Sequence, residues 1–137
     1  MSIAILSPIA PLAQVDLLAQ TAAVTTTTIF TPAISGRYAI YITLKITTPA
    51  ATSSTLGAVT LAFTDPDDSV AQTQVCGLMA MAGTIATTSG LNSTVAKLTG
   101  VIIVNAKAGV AITWAIAYAS SAANTMQYSA HAIVRAA

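Results

Sequence analysis

The sequence predicts an all-β protein, an antiparallel β-sandwich of jelly-roll type with eight or nine strands, and three observations lead to it. Period-2 alternation of apolar and polar residues dominates wherever a pattern can be read. Those stretches are rich in Thr, Val, Ile and Tyr, the residues that fit a pleated, half-buried surface. Turn formers punctuate the chain at 32–36, 49–57, 65–69, 87–92, 107–109 and 120–124, a spacing that suits a sandwich.

Taken in chain order, residues 1–24 read as an N-terminal arm or an edge strand. Within them PLAQVDLLAQ places Leu12, Val15 and Leu18 or Ala19 at a helical period, but a strand near 12–18 is the preferred reading. A strand near 24–31 carries the TTTT tract. The clearest element is GRYAIYITLKIT. There Tyr38, Ile40, Ile42, Leu44 and Ile46 share a core face, opposed to Arg37, Ala39, Tyr41, Thr43 and Lys45. LGAVTLAFTD repeats the pattern, with Val59, Leu61 and Phe63 inward and Ala58, Thr60, Ala62 and Thr64 outward, and the turn DPDD follows at once.

Further strands are expected near 70–78, 93–98 and 100–105, while GLMAMAGT at 77–84 is apolar without a period and reads as a buried loop or a subunit contact. GVAITWAIAYA sets Val110, Ile112, Trp114, Ile116 and Tyr118 against the small residues Ala111, Thr113, Ala115, Ala117 and Ala119. The closing TMQYSAHAIVRA sets Met126, Tyr128, Ala130, Ala132 and Val134 against Gln127, Ser129, His131, Ile133 and Arg135. No internal repeat is found, and residues 1–137 read as a single domain. A core of that length can bury about two-thirds of the surface the unfolded chain exposes, without disulfide or metal.

Charge bounds the function. Only 7% of residues are charged, against roughly 25% in an ordinary soluble domain, and 55% are apolar. No apolar run is long enough for a membrane-spanning helix, and the aromatic girdles of a spanning barrel are missing. Surface covered by partner subunits accounts for the low charge, since interface cores are depleted of charged residues. The small-residue sets Ala58, Thr60, Ala62 and Ala111, Thr113, Ala115, Ala117 are the candidate contacts between copies, or else faces covered by the chain's own segments. Five cations scattered singly offer no stripe for a phosphate backbone, so no nucleic-acid partner is expected. The apolar N-terminus lacks the basic region of a secretory signal, which places the chain in the cell that makes it or in a particle assembled there.

Catalytic chemistry has little material. The single histidine, His131, falls on a polar strand face and reads as a solvated or interface side chain. There is no Glu, and three of the four Asp share one turn. That turn, with Asp65, Asp67 and Asp68, is the one metal candidate. Its spacing does not match an EF-hand, and Pro66 between Asp residues suits a type I turn, so no metal and no cofactor are expected. The lone Cys76 reads as a small buried hydrophobe. Asn92-Ser93-Thr94 fits a glycosylation acceptor but carries no sign of use. Of the four tyrosines, Tyr41 alone is expected on an exposed face, where it could meet a sugar.

Residues 30–46, FTPAISGRYAIYITLKI, resemble the entry strand of C1q/TNF-like trimeric jelly rolls and of small virion proteins of tailed bacteriophages. An aromatic, Phe30, precedes a Pro32-containing turn, and Gly36-x-Tyr38 opens a long alternating strand. Gly36 is expected to supply a positive φ at the corner and Tyr38 to anchor the strand in the core. The aromatic ladders of the soluble signalling members are missing. What the resemblance implies is a homotrimeric virion component, assembled in the host cytoplasm, with the major capsid protein or other virion proteins as partners. Two functions follow as expectations: a non-enzymatic capsid decoration or cement protein that stabilises a phage head, or a head-fibre or tail-tip module that recognises a host surface glycan.

Overall fold

A computed structural model of the protein describes residues 10–49, 54–80, 85–86, 97–120 and 125–137. Among them are ten strands: β1 (Ala13–Gln20), β2 (Val24–Phe30), β3 (Gly36–Thr48), β4 (Ser54–Thr64), β5 (Ala71–Cys76), β6 (Leu78–Ala80), β7 (Ile85–Ala86), β8 (Lys97–Ala106), β9 (Ile112–Ser120) and β10 (Gln127–Ala136). All pairings are antiparallel. One sheet runs β1-β10-β3-β8-β6-β7 and the other β2-β9-β4-β5. The eight long strands divide four to a sheet, and successive strands mostly alternate between the sheets, which is the winding of a jelly roll. The two additional strands, β6 and β7, are only three and two residues long.

The core lies between the sheets. From β3 it takes Ile40, Ile42, Leu44 and Ile46, from β4 Val59 and Leu61, from β9 Ile112, Trp114 and Ile116, and from β10 Tyr128, Ala130, Ala132 and Val134, all buried. Alternation places these faces correctly because each strand meets the opposite sheet on one side only. Tyr38 packs at 5.4 Å from Phe30 and its hydroxyl donates to the Ile34 carbonyl, so it ties the 31–35 connection to the head of β3. Tyr128 stacks on Tyr118 at 5.7 Å and donates to Ala22 O at 2.8 Å. The Tyr118 hydroxyl in turn donates to Met126 O at 2.7 Å.

The segment 13–20 is a strand, as expected, at the edge of the larger sheet and paired with β10. Other expectations change. The strand expected at 100–105 begins at Lys97 and runs through Gly100, which pairs with Ile42, because a continuous partner strand outweighs a single glycine. Gly36 does not take a positive φ. Among the described residues that conformation belongs to Ala19, Ser69 and Gly109, and it is Gly109 that turns β8 into β9. Val110, expected in the core, is in that turn and exposed, since the strand starts two residues later. Gly57, expected in a turn, lies inside β4 where the register with β9 shifts between Leu56 and Val59, a bulge. The turns expected at 87–92 and within 121–124, the strand near 93–96 and the Asn92 triplet lie outside the described residues, as does 81–84 of the GLMAMAGT stretch.

Candidate functional site

The two sets of small residues, separated by some fifty positions in the chain, come together on one surface. In the β4–β9 ladder Thr60 faces Ala115 and Ala62 faces Thr113. The row extends across the sheet, with Thr28 of β2 opposite Thr113 and with Thr73 and Val75 of β5 opposite Ala62 and Thr60. Ala58 sits beside the β4 bulge, Ala111 just ahead of β9, and Ala117 is exposed further along it. None of the residues of β2, β4, β5 or β9 carries a charge. The outer face of the four-stranded sheet is therefore low, made of Ala, Thr and Val, and uncharged.

The opposite surface has different chemistry, and most of it escapes a sequence reading. On the outer face of the larger sheet Tyr41, Val101 and Ile103 are 43%, 56% and 59% exposed. Tyr41 is flanked in register by Val101 on one side and by Ile133 on the other. Beyond this apolar centre Lys45 of β3 stands directly opposite Lys97 of β8. Tyr41 is placed as expected, whereas Val101 and Ile103 lie in a stretch where both faces are apolar, so alternation gives no signal there.

His131 is on this same face and meets Asp16, its register partner on β1, at 2.6 Å. That hydrogen bond, with a second from the Gln14 amide at 2.7 Å, holds the Asp16 carboxyl below its usual range. The two residues are 115 positions apart, and only the pairing of β1 with β10 joins them. The pair lies on an outward sheet face and binds an edge strand to its neighbour.

The turn with Asp65, Asp67 and Asp68 does not converge on a cation. Asp65 Oδ1 accepts from the Asp67 N–H at 2.8 Å and Asp68 Oδ1 from the Val70 N–H at 2.9 Å. These carboxylates cap the backbone, as Asp does in turns. Among the described residues no group of three His, Cys, Asp or Glu is arranged to hold a metal. The turn is further fixed by Ser69 N–H to Asp65 O at 3.0 Å and by Lys107 Nζ to Ser69 Oγ at 2.8 Å. It shares one end of the sandwich with 31–35 and 107–110, since Lys107 N–H donates to Thr64 O and Gly109 N–H to Pro32 O, both at 2.8 Å.

Cys76 closes β5 with its side chain in the core, and burial pushes its thiol up to about 11. The thiolate is thus withheld until pH rises well above the ordinary range. A thiol reagent at mildly alkaline pH is expected to leave the native protein unmodified and to label Cys76 promptly in denaturant. Rapid labelling of the native protein would show that the end of β5 opens. Comparison with protein families, with curated proteins and with solved structures finds no match in any of the three.

Proposed function

We propose that this protein is a non-enzymatic structural subunit, a bacteriophage capsid decoration or cement protein, homotrimeric, that reinforces the head through shape-complementary contacts. The observation that carries this reading is the charge-free outer face of the four-stranded sheet. A face of Ala, Thr and Val offers few groups to solvate it and few long side chains to immobilise, so covering it costs little desolvation and little conformational entropy. Ala58, Thr60, Ala62, Ala111, Thr113, Ala115 and Ala117 form the surface it presents to its neighbours in the particle, whether copies of itself, the major capsid protein or another virion protein. The reading as non-enzymatic is supported by the position of His131, engaged with Asp16 on an open strand face.

A second reading, a head-fibre or tail-tip module that binds a host surface glycan, is favoured by the exposed Tyr41 ring. Its apolar neighbours Val101, Ile103 and Ile133 supply none of the hydrogen-bonding groups that orient a sugar, which makes it the weaker of the two. Purified protein mixed with empty heads is expected to bind saturably at symmetry-related sites and to raise the heat resistance of the shell. Failure to bind heads together with binding to host cells overturns the first reading in favour of the second.

A further inference from the structure

We infer that the outer face of the larger sheet is a second contact surface, and that its occupant is another copy of this chain, seated through its acidic 65–69 turn against Lys45 and Lys97. The inference rests on the self-association part of the proposed function and adds the place and chemistry of the contact.

Lys45 and Lys97 are register partners on adjacent strands, and both point outward because Leu44, Ile46 and Leu98 point into the core. Like charges directly opposite each other across a ladder destabilise the sheet, and an anion placed between them reverses the sign of that contribution. Asp16, the one acidic residue among the strands, is engaged by His131 and Gln14 at the far side of the face. The compensating anion therefore comes from outside the sheet.

Tyr41, Val101 and Ile103 expose large apolar side chains in the middle of the same face. An apolar centre bordered by charge is the anatomy of a protein interface, whereas a nucleic-acid backbone selects an unbroken cationic track.

The chain carries the complementary charge itself. Its remaining acids, Asp65, Asp67 and Asp68, are all in the one turn, where Asp67 and Asp68 are exposed. The hydrogen bonds described above fix that turn, so it docks without paying for its own ordering. Four of the five cations, Arg37, Lys45, Lys97 and Arg135, are on the outer face of the larger sheet together with Asp16, whereas the other three acids are at one end of the sandwich, beside Lys107. A trimer requires a heterologous contact, in which two different patches of the same subunit meet. A turn at the end of the sandwich and a sheet face are adjacent sides of the molecule and can close a ring. The two outer sheet faces point in opposite directions, and packing one on the other would run as an open stack.

The test is sedimentation velocity on the whole chain at micromolar concentration, with circular dichroism and a melting curve for every variant. Lys45→Glu with Lys97→Glu, and separately Asp67→Lys with Asp68→Lys, are each expected to weaken self-association at least tenfold, and the four changes combined are expected to restore it. High salt is expected to weaken the wild-type oligomer in the same direction, a measurement that stands even where a turn variant folds poorly. A wild-type oligomer indifferent to salt and to the lysine reversals overturns this contact while leaving self-association in place. A wild-type monomer overturns the self-association on which it rests.

Discussion

Trp114→Ala is expected to lower the stability of the fold by about 3–5 kcal/mol, the largest loss of any single substitution outside the assembly contacts. Trp114 is 1% exposed at the middle of β9, with Leu61 of β4 and Thr27 of β2 as its neighbours in register. It is the largest fully buried side chain among the described residues. Domains of this size are stable by only about 5–15 kcal/mol, so the variant retains a fraction of the margin. In urea its midpoint is expected to fall by on the order of 2 M with little change in slope. Trp114→Phe supplies the contrast. It keeps an aromatic ring in the site and removes an indole N–H that has no hydrogen-bond partner among the described residues, so its expected cost is only about 1–2 kcal/mol. Equal losses for the two variants would place the energy in the indole edge rather than in the volume.

The second large effect is on assembly and leaves the fold alone. Ala115→Arg is expected to abolish binding to heads, a weakening of at least about a hundredfold, with the melting temperature within a few degrees of wild type. Ala115 is half-buried only because Thr60 and its other sheet neighbours flank it, and its methyl group points away from the core. A long guanidinium there stands above a low surface and carries a charge that contact would strand without a partner. Thr113→Arg, one row away, is expected to behave alike. Arg substitutions that leave head binding intact would remove the small-residue face from the contact and transfer it to the larger sheet.

How much of this was open to a sequence reading depended on whether the two sides of each strand differ chemically. In β3 and β9 one side carries most of the large apolar residues and the other mostly small or polar ones, and period 2 assigns Tyr38, Ile40, Ile42, Leu44, Ile46, Met126, Tyr128, Ala130, Ala132 and Val134 to the core but misses Ala39, buried at a position expected to face outward. In β8 the run Val101, Ile102, Ile103, Val104 is apolar on both sides, and only the opposite sheet decides that Ile102 and Val104 face inward. The TTTT tract of β2 hides two register shifts, between Val24 and Thr27 and between Thr28 and Phe30, because four identical residues carry no phase. Gly36 misled for another reason. Glycine permits a positive φ but does not require one, and here it opens a strand, with nothing within 4 Å of where a Cβ would stand. The merging of the two small-residue sets, the Lys45–Lys97 pair and the Asp16–His131 bond are all products of strand order. Local pattern carries no record of which distant strand will be a neighbour.

The strand order also sets a timetable. β10 lies between β1 and β3 in the larger sheet, so the last of these strands in chain order occupies an interior place between two early ones. Until Gln127–Ala136 has been made, β1 lacks its ladder partner and β3 has one of its two edges open. The core is incomplete until this step, since Tyr128, Ala130, Ala132 and Val134 complete the layer against which the other sheet rests. Pairings of such sequence separation form slowly and leave strand edges exposed in the interval. Nascent chains stalled short of β10 are thus expected to hold open strand edges that favour aggregation.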